Sequence, residues 1–308
     1  MDASGSFRRN TKSKNIDILA LGSRCSIMFL FNNGFFSKPD IELNIKIKKS
    51  YNRILSVWGQ TFFYSVVVGI VLHLIYKTSV IAVFKSFFPF TLNEYWFVTC
   101  YILLALFAPY IDLLINQLSS SNLKRLVIIL LLLQILPLLL NKIINQLLLA
   151  ITMYIIGVFI AKNSDSIKKL QMKQVLFAFV FFFLMEILSI FLLAKIGLDF
   201  NSLFHFTYFF GAIVIAVPLF ILFIKLKPFS NIIINSISKS VFSIYLVTEQ
   251  FNMRNIIWNK ILNINEYEKS PWLPVYGIVV VFCIFCICIL FDYLRRLIAT
   301  GLWKIRFS

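Results

Sequence analysis

The sequence predicts an all-α, polytopic integral membrane protein, a helical bundle with about eight transmembrane helices. Its 308 residues are 60% hydrophobic and include 34 Phe, with a mean hydropathy of +0.86. This is more apolar surface than a soluble domain of that size can bury. The apolar residues form continuous runs long enough to cross a bilayer as helices, without the alternating pattern of a transmembrane barrel. Since backbone groups in lipid are satisfied only in helices or closed barrels, the spans are helical.

The chain is predicted to divide into an irregular N-terminal segment, residues 1–37, and a single transmembrane domain, residues 38–308. The N-terminal segment begins with a polar, basic tail, and its apolar part is interrupted by Arg24, Asn32 and Asn33. We therefore expect neither a complete span nor a cleavable signal peptide in it. The basic stretch 38–53 has the composition of a cytoplasmic surface helix or loop.

Eight apolar segments are predicted to cross the membrane. The segment 77–94 is not one of them, because Lys77, Lys85 and Pro89 interrupt it, and we expect it to lie in the outer interface as a half-helix. The third span is shorter than the ~20 residues that cross the hydrocarbon at 1.5 Å per residue, so it needs shielding by protein. The spans are expected at about residues 54–76, 95–115, 126–140, 143–161, 175–194, 206–224, 236–250 and 273–291.

The distribution of basic residues predicts the orientation of the spans. The loops and C-terminal tail on one side hold 18 Lys and Arg, and the loops on the other side hold 7. The positive-inside rule then places both termini in the cytoplasm. The same rule explains the net charge of +17 better than binding to nucleic acid does, so membrane lipid, not nucleic acid, is the expected partner.

Short motifs exclude several kinds of chemistry. The sequence has no Walker loop, HExxH, GxSxG or metal-spaced Cys/His cluster, so we expect no metal. The five Cys are interpreted as apolar packing residues, since three of them lie inside one apolar run. His73 and His205 lie near the ends of apolar runs and are interpreted as structural imidazoles.

A cluster of polar and aromatic residues is expected at the outer face. It combines the start of the second span with the end of the seventh, and an Arg among acids and aromatic rings can hold a carboxylate, a phosphate or a sugar acid. The alternative is an interfacial aromatic belt with a snorkelling Arg. The candidate substrate-binding residues are Glu94, Trp96, Tyr101, Tyr245, Arg254 and Trp258.

Two acidic residues lie within apolar spans. Glu186 is predicted near the middle of the bilayer, where an ionised carboxylate costs roughly 2.5–3.5 kcal/mol. We therefore expect Glu186 to face protein, either as a functional acid or as a protonated, hydrogen-bonded side chain. Asp112 lies nearer the inner end of its span and is expected to be solvated.

Three motifs resemble the acyltransferase type 3 family, the membrane enzymes that O-acylate bacterial surface and capsular polysaccharides. The stretch Asn93–Tyr101 continuing to Tyr110 is similar to the family's YWFxxxY…SPF helix. The stretch Val241–Val247, with Arg254 and Trp258, is similar to its FxxYLxH…R…W helix. Asn33–Lys38 is similar to the SGYFLSK that closes an early span. The likeness covers about residues 31–290.

The resemblance implies O-acetyl transfer from acetyl-CoA, at the bacterial plasma membrane, to a capsular or other cell-envelope glycan or a lipid-linked sugar. In that reaction a base deprotonates a sugar hydroxyl, which attacks the thioester carbonyl. Trp96, Tyr101, Tyr245 and Arg254 would shape the acceptor pocket. Two alternatives stay open: a transporter or flippase for lipid-linked or anionic sugars, with Glu186 on its pathway, and a non-catalytic partner in glycan assembly.

The sequence also departs from the family pattern. Asn15–Leu19 is similar to the family's DxLR entry, but Ala20 stands where the Arg would be, and Thr248 stands where many members carry His. The catalytic base is therefore unassigned. The short distance from this entry to Asn33 implies that two spans are missing, and we expect a truncated relative with little or no acetyl transfer.

The predicted topology can be tested with reporter fusions. Fusions placed after Tyr76, Ser121, Lys142 and Ser308 should report outside, inside, outside and inside, because the basic loops stay in the cytoplasm. An extracellular C-terminus would contradict the predicted number of spans.

Overall fold

The computed structural model describes residues 30–37, 41–90, 94–135, 142–195, 211–227, 230–261, 270 and 272–306, which are helical and contain no strand. Residues 30–35 form a short helix. The longer elements are α1 (Leu43–Tyr76), α2 (Val80–Ser86), α3 (Trp96–Gln117), α4 (Ser120–Ile135), α5 (Lys142–Lys162), α6 (Ser164–Lys169), α7 (Met172–Lys195), α8 (Ala212–Lys225), α9 (Ile232–Thr248), α10 (Phe251–Asn255), a π-helix (Ile256–Ile261) and α11 (Leu273–Arg306).

The all-α membrane fold is confirmed. Four helices are long and apolar enough to cross a bilayer by themselves: Leu43–Tyr76, Trp96–Gln117, Met172–Ser189 and Val275–Leu297. Three shorter apolar helices accompany them within the described residues: Gln146–Lys162, Ile213–Lys225 and Ile232–Thr248. The number of eight spans and the division at residue 37 stay predictions.

The chain forms two compact units. The first contains residues 1–54 and 100–227, and the second contains residues 55–99 and 228–308. The helices α1 and α3 each contribute residues to both units. The predicted surface segment 38–53 is in fact continuous with the first span from Leu43 onward, because its basic residues interrupt the hydropathy without interrupting the helix.

The first unit is built from two helix pairs and a tightly seated N-terminal helix. The α4 helix packs against α5, and α7 packs against α8. The short helix 30–35 lies so close to α5 that a Cβ at Gly34 would come within 2.1 Å of the Tyr154 carbonyl oxygen, and one at Gly157 within 2.4 Å of the Phe31 oxygen. Small residues therefore allow the two backbones to approach, as membrane helices commonly do.

The second unit contains a re-entrant segment. After α1 ends at Tyr76, the chain turns and α2 runs back along it, so that the Ser65 hydroxyl donates to the Ser86 carbonyl at 2.8 Å. The rings of Trp58 and Phe90 are stacked at 6.4 Å. Since Ser65 lies eleven residues before Tyr76, the segment descends by about 16 Å at 1.5 Å per residue.

The half-helix expected within residues 77–94 exists as α2, and its last residue, Ser86, lies against Ser65 of α1. Its position relative to the membrane interface stays a prediction. Sequence polarity suggested an interfacial position because Lys77 and Pro89 prevent a span. Non-helical backbone at membrane depth is tolerated where protein shields it, and here Ser65, Ser86 and Tyr95 are all buried.

A buried carboxylate joins three helices of the second unit. Asp292 on α11 accepts hydrogen bonds from Tyr64 on α1 at 2.7 Å and from Ser240 and Ser243 on α9 at 2.8 and 2.7 Å. Arg295 and Arg296 each form an ion pair with it, at 2.9 and 3.1 Å. A carboxylate with this many partners is stabilised as an ion despite complete burial.

The re-entrant packing predicts opposite effects for two glycines of α1. A Cβ at Gly69 would lie 2.4 Å from the Ser86 hydroxyl oxygen and 2.8 Å from its Cβ, whereas one at Gly59 would meet nothing within 4 Å. We expect Gly69→Ala to lower the thermal midpoint in detergent by displacing α2. The matched Gly59→Ala should leave it unchanged or raise it, because Ala favours a helix by about 1 kcal/mol over Gly. Equal effects of the two substitutions would contradict the packing of α2 on α1.

Candidate functional site

A polar cavity of about 370 Å³ lies within the first unit. It is lined by the beginning of α1, the middle of α3, residues of the segment 32–37 and Tyr154 of α5. Its lining contains three cations and no acid. The polar and charged lining residues are Asn32, Asn33, Ser37, Lys46, Lys49, Ser50, Arg53, Tyr101 and Tyr154.

Asp112 organises one wall of this cavity. Its carboxylate, only 6% exposed, accepts hydrogen bonds from Lys46 at 2.8 Å, from Tyr154 at 2.7 Å and from Ser37. The expectation that Asp112 is solvated is therefore wrong. A position near the end of a span suggests access to water, but the basic start of α1 and the residues before it cover this end of α3.

The remaining cations give the cavity its net charge. Lys46 is neutralised by Asp112, with 10% of its side chain exposed, which leaves Lys49 and Arg53 facing the cavity without an acidic lining residue. The positions 46, 49 and 53 lie on one face of a helix. Cations at this spacing in a concave, partly apolar site favour a phosphate or another anion, which a guanidinium can bind bidentately.

The second unit carries a different cluster, centred on Tyr95 at the start of α3. Tyr95 is fully buried, and its hydroxyl donates to the Leu246 carbonyl of α9 at 3.1 Å. The Ser65 hydroxyl lies 3.3 Å from the Glu94 carboxylate. A carboxylate and a buried phenol therefore lie together at the start of α3.

The same cluster continues where α9 ends. Glu249 is the C-cap of α9, and its carboxylate lies 3.6 Å from the Arg254 guanidinium. Gln250 is fully buried and uses its side-chain oxygen to cap α10, accepting from the Met253 amide at 2.8 Å. Tyr245 packs its ring edge-on against Phe97 at 5.5 Å. The cluster therefore presents carboxylates, an amide and a guanidinium beside aromatic rings.

The sequence-predicted site residues are distributed over both units. Glu94, Trp96, Tyr245 and Arg254 belong to the second unit, as does Trp258 in the π-helix, whereas Tyr101 belongs to the first unit. Tyr101 is buried in the cavity wall of the first unit. Their roles in binding stay predictions.

Three further predicted residues have defined surroundings or lie outside the described part of the chain. Glu186 is only 6% exposed and lies against Gly211, where a Cβ would come within 2.6 Å of its carboxylate oxygen; it therefore faces protein, as expected. A ring nitrogen of His73 lies 2.5 Å from the Thr78 carbonyl oxygen, which agrees with a structural role. His205 lies outside the described residues.

The basic cavity is not evident from the sequence. Its cations, Lys46, Lys49 and Arg53, belong to the stretch 38–53 that is predicted to be a cytoplasmic surface segment, although their spacing places them on one face of a helix. Tyr154 cannot be recognised as a cavity residue from the sequence, because a single Tyr in an apolar run is common. Gln250 was also missed, since only the end of α9 shows that it is enclosed rather than interfacial.

The helices and the two polar sites define a multi-pass membrane protein that offers a basic cavity and a separate cluster of acidic, amide and aromatic groups. A family model described as an acyltransferase domain matches residues 4–292, and the chain belongs to this acyltransferase family. No curated protein and no solved structure matches the chain significantly. The resemblance drawn from the motifs is thereby confirmed at the level of the family.

The Asp112–Lys46 pair predicts a strong coupling in stability. Asp112→Asn leaves a buried ammonium unpaired and Lys46→Met leaves a buried carboxylate without its cation, so each single substitution should lower the free energy of unfolding by about 3–5 kcal/mol. The double variant removes both charges and should lose less than either single one. Unfolding monitored in mild detergent measures this double-mutant cycle.

An exposed pair serves as the control for this cycle. Asp165 and Lys168 lie 3.7 Å apart with most of their side chains in solvent, and such pairs contribute about 0–1 kcal/mol. Asp165→Asn and Lys168→Met should therefore have little effect, singly or together. Additive losses at Asp112 and Lys46 would show that the two charges do not depend on each other.

Proposed function

We propose that this membrane acyltransferase transfers an acetyl group from acetyl-CoA to a hydroxyl group of a cell-envelope glycan or a lipid-linked sugar. The observation that carries the proposal is the basic cavity of the first unit, in a chain of an acyltransferase family. An acyl-CoA donor is an anion with a diphosphate and a further phosphate, and it needs the kind of positive, partly enclosed site that Lys49 and Arg53 provide.

The cavity suits the phosphate portion of the donor. Its lining combines Arg53, which can bind a phosphate bidentately, with Lys49, which supplies a compact point charge. The hydroxyl and amide groups of Tyr101, Asn32 and Asn33 add neutral hydrogen-bonding capacity. Asp112 does not line the cavity. The ion pair with Lys46 compensates its negative charge, so Asp112 should repel a bound phosphate only weakly.

The acceptor is a neutral hydroxyl that becomes nucleophilic as it loses its proton to a base. The oxygen attacks the thioester carbonyl carbon, the carbon–sulfur bond breaks, and the thiol of CoA leaves with the proton. Thr248 supplies no base, since its hydroxyl donates to the Ile244 carbonyl at 2.9 Å within α9. The expected truncation and the unassigned base lead us to propose weak turnover, so donor binding is the more sensitive test.

The donor site is tested by CoA binding to the full chain in detergent, measured by calorimetry. Lys49→Gln and Arg53→Gln should each weaken CoA binding about 10-fold, because a charge-assisted hydrogen bond to phosphate contributes roughly 1.5–3 kcal/mol. Acetyl-CoA should bind with similar strength, since the phosphates are unchanged.

Arg125→Gln is the matched control for this test. Arg125 belongs to the same unit, and removing it changes the net charge by the same amount, but it is exposed on α4 and does not line the cavity. An equal loss of affinity in Arg125→Gln would show that CoA is attracted by the overall positive charge and is not bound by the cavity. Absence of CoA binding, combined with sugar movement across proteoliposomes, would favour a transporter.

A further inference from the structure

Two helix ends meet inside the second unit. The α3 helix begins at Trp96 after the re-entrant segment, and α9 ends at Thr248, and the Tyr95 hydroxyl joins them by donating to the Leu246 carbonyl at 3.1 Å. Helix ends leave backbone groups without intrahelical partners. In membrane proteins such interruptions are tolerated where protein or a polar site surrounds them, and transporters bind substrates at broken helices.

Gln250 occupies the interruption after α9. Its side chain is fully buried, and its oxygen is used by the Met253 amide. Its side-chain nitrogen, Nε2, has no hydrogen-bond partner within the described part of the chain. A buried amide group without a partner costs roughly 1–3 kcal/mol of folding free energy. A ligand that accepts a hydrogen bond from Nε2 would remove this cost, so the position of Nε2 is better explained by ligand binding than by a role in folding.

The neighbours of Gln250 determine which chemistry can bind. Glu94 is the chain neighbour of Tyr95, and Glu249 follows three residues after Leu246, whose carbonyl accepts from the Tyr95 hydroxyl, so two carboxylates lie near the same phenol. They repel anions and accept hydrogen bonds from hydroxyl groups. The side chains of Arg254 and Glu249 are 39% and 24% exposed, so a ligand can approach from their side. This surrounding favours a neutral, polyhydroxylated molecule over a phosphate.

Aromatic rings supply the remaining contact. Tyr245 lies beside Tyr95, with ring centroids 6.2 Å apart, and edge-on to Phe97 at 5.5 Å. A sugar ring presents both hydroxyl groups and apolar C–H faces, and sites for such ligands combine a few placed polar groups with aromatic walls.

We propose that Gln250, Glu249 and Arg254, together with Glu94, bind hydroxyl groups of a sugar at the junction of α3 and α9. The Gln250 Nε2 group donates to a sugar oxygen, and the two carboxylates accept from sugar hydroxyls. This assignment rests on the proposed function, because it names the place where the acceptor glycan binds. It adds a specific hydrogen-bond donor, Gln250. It also specifies how deep the site lies, because the Glu94 carboxylate is at the level of Ser65, halfway along the apolar part of α1.

Gln250→Glu separates binding from folding at this position. Glutamate retains the oxygen that caps α10 but replaces the Nε2 donor with an acceptor. The matched control is Gln174→Glu. The Gln174 side-chain oxygen also caps the start of a helix, in the reverse direction, because it lies in the first turn and accepts from the preceding Gln171 amide at 3.0 Å, and the site is exposed.

The test uses uncharged oligosaccharides of glucose, galactose and N-acetylglucosamine with the full chain in detergent, and binding is followed by saturation-transfer NMR. At least one of them should bind the unchanged protein, and Gln250→Glu should weaken that binding at least about fivefold, the effect of losing one buried hydrogen bond. Gln174→Glu should bind as the unchanged protein does. CoA binding serves as the second measurement, and Gln250→Glu should leave it unchanged.

The outcomes separate this inference from the proposed function. Absence of binding by all the oligosaccharides, or equal binding by Gln250→Glu and the unchanged protein, overturns the sugar site even when CoA binds. If the unchanged protein binds sugar but not CoA, the proposed donor site is wrong and the proposed sugar site is supported. A thermal midpoint of Gln250→Glu close to that of Gln174→Glu supports the assignment. The variant is then folded, and its loss of sugar binding comes from the missing Nε2 donor.

Discussion

The lack of water in the bilayer core is the constraint on which the rest of this structure depends. Each buried charge must bring its own partners, and Asp292 illustrates the rule with three hydroxyl donors and two guanidinium groups from three helices. Asp112 does the same with Lys46, Tyr154 and Ser37. These two carboxylates fix helices that apolar packing alone would hold less specifically, because lipid tails compete equally for apolar side chains.

The sequence predicted the fold class and the approximate positions of the long helices, because hydropathy measures the transfer of each segment into lipid. It did not predict the depth of polar segments. Lys77 and Pro89 exclude a span, but the same residues are compatible with a flat interfacial helix and with a segment that folds back on α1. Contacts such as Ser65 with Ser86 decide between these arrangements, and they depend on tertiary structure.

The candidate site was predicted in part for a similar reason. Glu94, Tyr245 and Arg254 stood out because charged and aromatic residues at span ends are conspicuous in a sequence. Lys49 and Arg53 did not, since basic residues beside a span are expected from topology alone. Only the position of Tyr101 and Tyr154 opposite these cations distinguishes a cavity from a surface. The burial of Asp112 could not be inferred either, because its partners come from segments 42 to 75 residues away.

The two polar sites differ in the sign of their charge, and this difference matches what an acyl transfer requires of its two substrates. A phosphate-rich donor needs cations, and its binding is weakened by nearby carboxylates, whereas a hydroxyl acceptor needs hydrogen-bond acceptors that can also take a proton. Asp112 and Asp292 each accept short hydrogen bonds from several donors, so their oxygens are already engaged. The contacts of Glu94 and Glu249 are longer, since Glu94 lies 3.3 Å from the Ser65 hydroxyl and Glu249 lies 3.6 Å from the Arg254 guanidinium. Carboxylates that are not held by short hydrogen bonds are better able to take a proton in the proposed transfer, and in the described residues Glu94 and Glu249 of the cluster around Tyr95 meet this condition better than Asp112 does.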